Sequence, residues 1–162
     1  MKIRSATEND RDAIWEIFHA VVATGDTYTF DPAISREEAL SYWFRDGTHT
    51  YVAEDNNRVV GTYILRANQP GAGAHVANAA YMVAAEAQGL GIGRAMAENS
   101  LDEARLMGFR AVQFNFVVST NEGAVHLWQK LGFKIVGTLP AAFRHPAKGF
   151  VDAYIMFRSL LD

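Results

Sequence analysis

Three glycines alternate at Gly89, Gly91 and Gly93, after an apolar run that ends near Val83 and before an amphipathic stretch that reaches Met107. That spacing suits a phosphate. Glycine lets the backbone approach a ligand closely and turn successive N–H groups outward. A helix starting at the same point adds unpaired amides and the positive end of its dipole. The backbone of Gln88, Gly89, Leu90, Gly91, Ile92, Gly93 and Arg94 is therefore a candidate pyrophosphate cradle. A turn needed only for tight packing would use the same glycines, so the occupant must be read from the rest of the chain.

Amides form a second group. Period-two alternation places Asn78, Ala80 and Met82 on one face of the strand before the glycines, and Gln113, Asn115 and Val117 on one face of a later strand. A buried amide left unpaired costs about 1–3 kcal/mol. Asn78 and Asn115 are expected inside neighbouring buried strands, so they belong either to a structural network or to a site.

The elements that must position these groups follow from local patterning. Lys2 to Thr7 alternates as a strand, and Thr7 with Asp10 caps a helix over Glu8–Ala23 with the stripe Ile14, Ile17, Phe18 and Val21. A turn-rich loop, Thr24 to Pro32, carries the aromatics Tyr28 and Phe30. Ser35 and Glu38 form a capping box for a second helix through Phe44. Thr48–Glu54 and Arg58–Arg66 read as a hairpin around Asp55-Asn56-Asn57. His75–Val83 is a strand, Gly91–Met107 a helix ended by Gly108, Ala111–Val118 a strand, and Thr120–Leu131 a helix ended by Gly132. Strands over Phe133–Thr138 and Val151–Arg158 are expected on either side of a loop, Leu139 to Gly149.

The order is β-α-α-β-β-β-α-β-α-β-β in one domain, 1–162, of the α+β class with a mixed sheet. The strands flanking the glycine-loop helix should be parallel and joined by a right-handed crossover. The cradle then lies outside their carboxyl ends, where open sheets place ligands. A dinucleotide fold fits poorly, because its glycines belong at the first strand rather than after a meander.

Composition narrows the classes. A net charge of −3 argues against a nucleic-acid binder. The lack of cysteine excludes disulfides, thiolate metal sites and a cysteine acyl-enzyme, and no metal is expected. Met1-Lys2-Ile3-Arg4-Ser5 lacks the apolar run of a signal peptide and no segment reaches membrane-spanning length, so the expectation is cytoplasmic, with no membrane partner.

Gln88-Gly89-Leu90-Gly91-Ile92-Gly93 resembles the (Q/R)-x-x-G-x-(G/A) signature of the GCN5-related N-acetyltransferases, the GNAT superfamily. Asn121-Glu122-Gly123 through Leu131-Gly132-Phe133 resembles that family's second motif, a helix opening with Asn and ending in Leu-Gly-Phe. Thr27-Tyr28-Thr29-Phe30, Phe143-Arg144-His145 and Gly149-Phe150-Val151-Asp152 resemble segments of phosphinothricin-type amino-acid acetyltransferases. Asn78-Ala79-Ala80-Tyr81, Gln113 to Val118 and Leu127 to Phe133 resemble the acetyltransferases that detoxify azetidine-2-carboxylate.

The resemblance implies the GNAT fold: a mostly antiparallel sheet of six to seven strands with a splayed central parallel pair. It implies acetyl-CoA as cosubstrate, a small amino-acid-like amine as acceptor, direct sequential transfer and a homodimer. The strand edge near Met82 and Val83 would pair with the pantetheine amides, with Asn121 also at the cofactor. Asn78 and Asn115 would orient the acceptor or donate to the acetyl carbonyl. Trp128 stands where many relatives carry an acidic tyrosine; an indole donates a hydrogen bond but is no acid, so Trp128 is expected along the pantetheine arm or in the core. Tyr28 and Phe30 would wall a substrate pocket lying between the Thr24–Pro32 and Leu139–Gly149 loops, with Arg144 or His145 meeting a carboxylate. The candidates for a water-mediated base are His75, Tyr81, Glu86 and His126, each equally readable as a surface or packing residue. Two rivals stand beside this expectation: a protein or peptide N-acetyltransferase of the same fold, and a non-catalytic CoA-binding regulatory domain.

Overall fold

A computed structural model describes residues 1–161. The elements run β1 (Lys2–Ser5), α1 (Arg11–Ala23), α2 (Arg36–Trp43), β2 (His49–Asp55), β3 (Arg58–Ala67), β4 (Val76–Val83), α3 (Ile92–Leu106), β5 (Ala111–Val118), α4 (Glu122–Lys130), β6 (Lys134–His145) and β7 (Gly149–Ser159). This is the expected order. The strands form one seven-stranded sheet, β1-β2-β3-β4-β5-β7-β6, in which only β4 and β5 are parallel.

Local chemistry sets the element ends. Ser35 Oγ accepts from the Glu38 amide at 3.1 Å and starts α2. Asn56 and Asn57 take φ of 48° and 61°, the pair of left-handed residues that a two-residue type I′ turn needs between β2 and β3. At the first helix, a 3-10 turn over Glu8–Asp10 precedes α1. The buried Asp10 carboxylate accepts from the Thr7 amide at 2.7 Å and from both ends of the Arg4 guanidinium at 2.8 and 2.9 Å. Arg4 also reaches Glu54 at 2.8 Å, so one cation ties β1, β2 and the helix start together. Its hydrogen bonds hold the Asp10 carboxyl below the ordinary aspartate value.

Helices cover both faces. Thr62 in β3 accepts from Trp43 Nε1 of α2 at 2.9 Å, which marks the α1/α2 face. Its neighbour Gly61 faces α3, where a Cβ would lie 2.9 Å from Met96 Cε, so the missing side chain lets α3 sit close. Trp43, Phe18, Ile14 and Ile64 fill one layer of the core, and Tyr63, Leu65 and Met96 the other; all are fully buried.

The central pair splays. β4 and β5 pair only at Val76↔Ala111 and Ala77↔Val112 and then part. The carboxyl-terminal halves of both strands border an open gap, and α3 begins at its end.

One expected loop is not there. Residues 139–145 continue β6, which pairs with β7 at Leu139 and again from Phe143 to His145↔Gly149, so the expected Leu139–Gly149 loop is the outer half of a long hairpin. Pro140, Ala141 and Ala142 have little strand preference and find no partner on β7, which β6 rejoins at Phe143. The strain is taken up at a bulge between Leu139 and Phe143, where Ala141 has φ of 50° and its amide donates to Asp152 Oδ1 at 2.9 Å.

Candidate active site

A cleft of about 500 Å³ opens where β4 and β5 diverge. Which backbone groups face it follows from the ladder on either side. The His75 carbonyl accepts from the Arg110 amide toward β5, and the Val76 carbonyl accepts from the Asn68 amide toward β3. Alternation then turns the polar groups of residues 79, 81 and 83 into the gap and those of 78, 80 and 82 toward β3. The free edge expected at Met82 and Val83 is therefore at Tyr81 and Val83. Met82 is 2 % exposed and its backbone is engaged by β3; only its side chain reaches the cleft.

The Tyr81 edge is occupied. The Tyr28 hydroxyl donates to the Tyr81 carbonyl and accepts from the Tyr81 amide at 3.2 Å. Burial pushes this hydroxyl up to about 12, so it stays protonated. Tyr28 and Phe30 line the cleft, and Phe30 is fixed by ring contacts to Phe18 at 5.0 Å and Tyr42 at 5.0 Å.

At the other end, Gly89 and Gly91 take φ of 77° and 80°, which folds the chain back into α3 with Gly91 as N-cap. The first amides of a helix lack partners within it, so Ile92, Gly93 and Arg94 present donors at the end of the gap. Gln88 and Gly93 line the cleft, and Gln88 Nε2 reaches the Val83 carbonyl at 3.4 Å. Leu90 is 71 % exposed above the turn, while Ile92 is buried beneath it. Arg94 does not line the cleft; its exposed side chain pairs with Glu98 at 2.9 Å.

The amides are brought together, though not as two buried groups. Asn78 Nδ2 donates to the Gln113 carbonyl at 2.9 Å, bridging the strands one residue past the last ladder pair. Asn115 is exposed because the splay strips its strand of a neighbour. It accepts from Gln113 Nε2 at 2.9 Å and donates to Asn68 Oδ1 at 2.6 Å. Asn78 and Asn115 both line the cleft, within one network that also includes Gln113 and Asn68. Asn121, at the N-cap of α4, lines it too.

Trp128 is 9 % exposed and belongs to the core while also lining the cleft. It faces the cleft and packs on Tyr81 at 5.0 Å, Phe114 at 4.6 Å and Phe133 at 5.9 Å. Of the candidate bases, only Tyr81 lines the cleft, and its hydroxyl is committed to Ser100 at 2.6 Å in a buried setting that raises its pKa. His75 and His126 are exposed and outside the cleft, and Glu86 pairs with Arg58 at 3.2 Å.

Arg144 and His145 do not reach the cleft. They lie near the tip of the β6–β7 hairpin, Arg144 opposite Phe150, and His145 Nδ1 accepts from the amides of Ala147 and Lys148. The Thr24–Pro32 loop alone walls the pocket expected between two loops.

Arg66 and Tyr42 also line the cleft, and local patterning does not mark either as functional. Arg66 ends the run Tyr63-Ile64-Leu65-Arg66, and a charge closing a buried strand was the available signal.

The model of the acetyltransferase (GNAT) family matches residues 12–133. The chain is 31% identical over 161 residues to N-acetyltransferase aca1 of Schizosaccharomyces pombe, covering 87% of this chain and 77% of that protein. It is 31% identical over 146 residues to the L-amino acid N-acyltransferase MnaT of Escherichia coli, covering 86% and 83%. Among solved structures it is similar to a GCN5-related N-acetyltransferase from Kribbella flavida, with a TM-score of 0.94 and 45% identity over 98% of this chain and 96% of that one.

Proposed function

The chain belongs to the acetyltransferase (GNAT) family, and from that premise we propose that it acetylates the amino group of a small amino acid or amino-acid analogue, with acetyl-CoA as donor. The observation that carries the acceptor class is the wall made by the Thr24–Pro32 loop. Tyr28 and Phe30 wall the cleft, which favours a small acceptor over a peptide laid along an open groove. The relative named L-amino acid N-acyltransferase supports the same acceptor class, and the one named N-acetyltransferase supports transfer to nitrogen.

The residues present fit a CoA thioester. The Val83 backbone faces the gap and can pair with an extended amide chain as a neighbouring strand would. The turn from Gln88 to Arg94, with the first amides of α3, supplies donors for a pyrophosphate. Trp128, Phe114 and the Met82 side chain give the gap an apolar lining, and Asn121 stands at its far wall. Bound there, acetyl-CoA supplies an activated acyl group.

The rest is the work of the chain. Asn78 and Asn115 orient the acceptor from the α1/α2 side, and their amides donate hydrogen bonds without titrating. Among the described residues, no carboxylate or imidazole lines the cleft. The amine is therefore neutral when it arrives, which an α-amino group of pKa about 7.7–8.0 satisfies in part at neutral pH. Assembly as a homodimer belongs to the same proposal, with Val136 and Phe150, 60 % and 71 % exposed on the outer hairpin, as the apolar surface; light scattering tests it.

The deciding experiment is CoA release with methionine sulfoximine, phosphinothricin, azetidine-2-carboxylate and the common amino acids, beside short peptides. Turnover of at least one small amino acid is expected. Turnover confined to peptides would refute the acceptor class.

A further inference from the structure

We infer that Arg66 is the receptor for the acceptor's carboxylate, a role that rests on the small-amino-acid reading above. Arg66 lies at the end of β3 on the α1/α2 face, opposite Asn78 in the β3–β4 register. Among the described residues lining the cleft it carries the only charge. Its guanidinium lies 4.7 Å from the centre of the Tyr42 ring and donates from Nη2 to the Tyr42 hydroxyl. Nη1 is enclosed by protein and makes no hydrogen bond, and no carboxylate among the described residues pairs with the cation.

Such an arrangement is costly on its own terms. A charge held in an otherwise uncharged cleft loses solvation, and a buried donor without an acceptor adds to the loss. An incoming carboxylate removes both costs, because the planar guanidinium matches two carboxylate oxygens at once. The Tyr42 ring acts as a platform that fixes the plane of the fork. Turning the guanidinium on its flexible stem exposes Nη1 without moving the charge out of the cleft.

The register sets the orientation. Asn78 is the cross-strand neighbour of Arg66 and bridges to β5 where the strands part. A ligand with its carboxylate on Arg66 then carries its amine toward Asn78 and the splay, and its side chain among Tyr28, Phe30 and Tyr42. The class selected is an amine with a carboxylate a few bonds away; polyamines and other polycations are repelled by the same charge.

Calorimetry in the presence of CoA, comparing N-acetyl-L-methionine with N-acetyl-L-methioninamide, tests the assignment without turnover. The wild type should bind the acid about tenfold to a hundredfold more tightly, the span of a charge-assisted hydrogen-bonded pair. Arg66→Gln should abolish the preference, and Arg66→Lys should keep part of it, since the charge remains and the fork is lost. With the best acceptor of the panel, Arg66→Gln should raise KM more than it lowers kcat. No tighter binding of the acid by the wild type, or an undiminished preference in Arg66→Gln, overturns the assignment. An Arg66-dependent acid preference with no amino acid acetylated would leave Arg66 standing and sink the acceptor class; acetylation of amino acids with no acid preference would do the reverse.

Discussion

The hydroxyl of Tyr28 holds the backbone of Tyr81 by both its polar groups, donating to the carbonyl and accepting from the amide at 3.2 Å. A side chain from the α1–α2 connection thereby replaces the strand neighbour that Tyr81 loses where β4 and β5 part. The contact joins the Thr24–Pro32 loop to the free edge of β4, 53 residues apart in the chain.

Tyr28→Phe should leave the Tyr81 amide and carbonyl unpaired, at about 1–3 kcal/mol. Melting should fall by several degrees at about 2–4 °C per kcal/mol, and hydrogen exchange at the Tyr81 amide should accelerate. The contribution should not vary between pH 6 and 9. The folded value of about 12 lies above the ordinary tyrosine value of 10.0, so the stabilisation is complete below pH 10.0 and fades only as pH rises toward 12. An unchanged exchange rate at Tyr81 would show that the clasp contributes nothing.

Acetyl-CoA at about one hundred times its Kd should stabilise the protein by about 2.7 kcal/mol. Gly91→Glu should abolish the melting shift. Gly91 is the N-cap of α3 at φ of 80°, and a side chain there strains the turn and brings a negative charge to the helix N-terminus. A full shift retained by Gly91→Glu would move the donor site away from this turn.

The rate should follow the acceptor rather than the enzyme. With no carboxylate or imidazole among the described lining residues, kcat/KM should rise with pH to a plateau set by the pKa of the acceptor amine. Two acceptors with amines of different basicity should give profiles displaced by that difference. A common inflection for both would reveal a base in the protein.

The two asparagines should separate. Asn115→Ala removes an exposed amide and should lower kcat with little change in melting temperature. Asn78→Ala also deletes the bridge to the Gln113 carbonyl and should lower both. Unchanged turnover in Asn115→Ala would return it to a purely structural role.

Acid should unfold the protein partly through Asp10. Its folded pKa lies below its ordinary value because of Arg4, so its contribution is present above that ordinary value and is lost as pH falls through the folded one. Asp10→Asn should cost about 1–3 kcal/mol at neutral pH and flatten the acid limb of a stability curve. An acid limb as steep as that of the wild type would place the sensitivity elsewhere.

What was legible in the sequence is what is decided within a few residues. The N-cap at Ser35, the two-asparagine turn, the alternating glycines before α3 and the glycines closing α3 and α4 are local backbone chemistry, and each is where it was expected. The element order followed, and with it the single parallel pair and the cleft at its splay. Tyr28, Phe30, Asn78, Asn115, Asn121 and Trp128 all line that cleft.

Tertiary structure decided the rest, because it depends on which distant segment lies alongside. Pairing with β7 carried β6 on to His145 and drew Arg144 away from the cleft. Ladder direction chose Tyr81 over Met82 as the free edge, a parity that pairing on both sides of β4 sets. Loss of a neighbouring strand left Asn115 exposed. Above all, it seated Arg66 over Tyr42, 24 residues earlier, and opposite Asn78, so a residue that looked like the polar end of a strand became the charge in the cleft. Periodicity assigns a side chain to a face; only the packed sheet determines what it meets there.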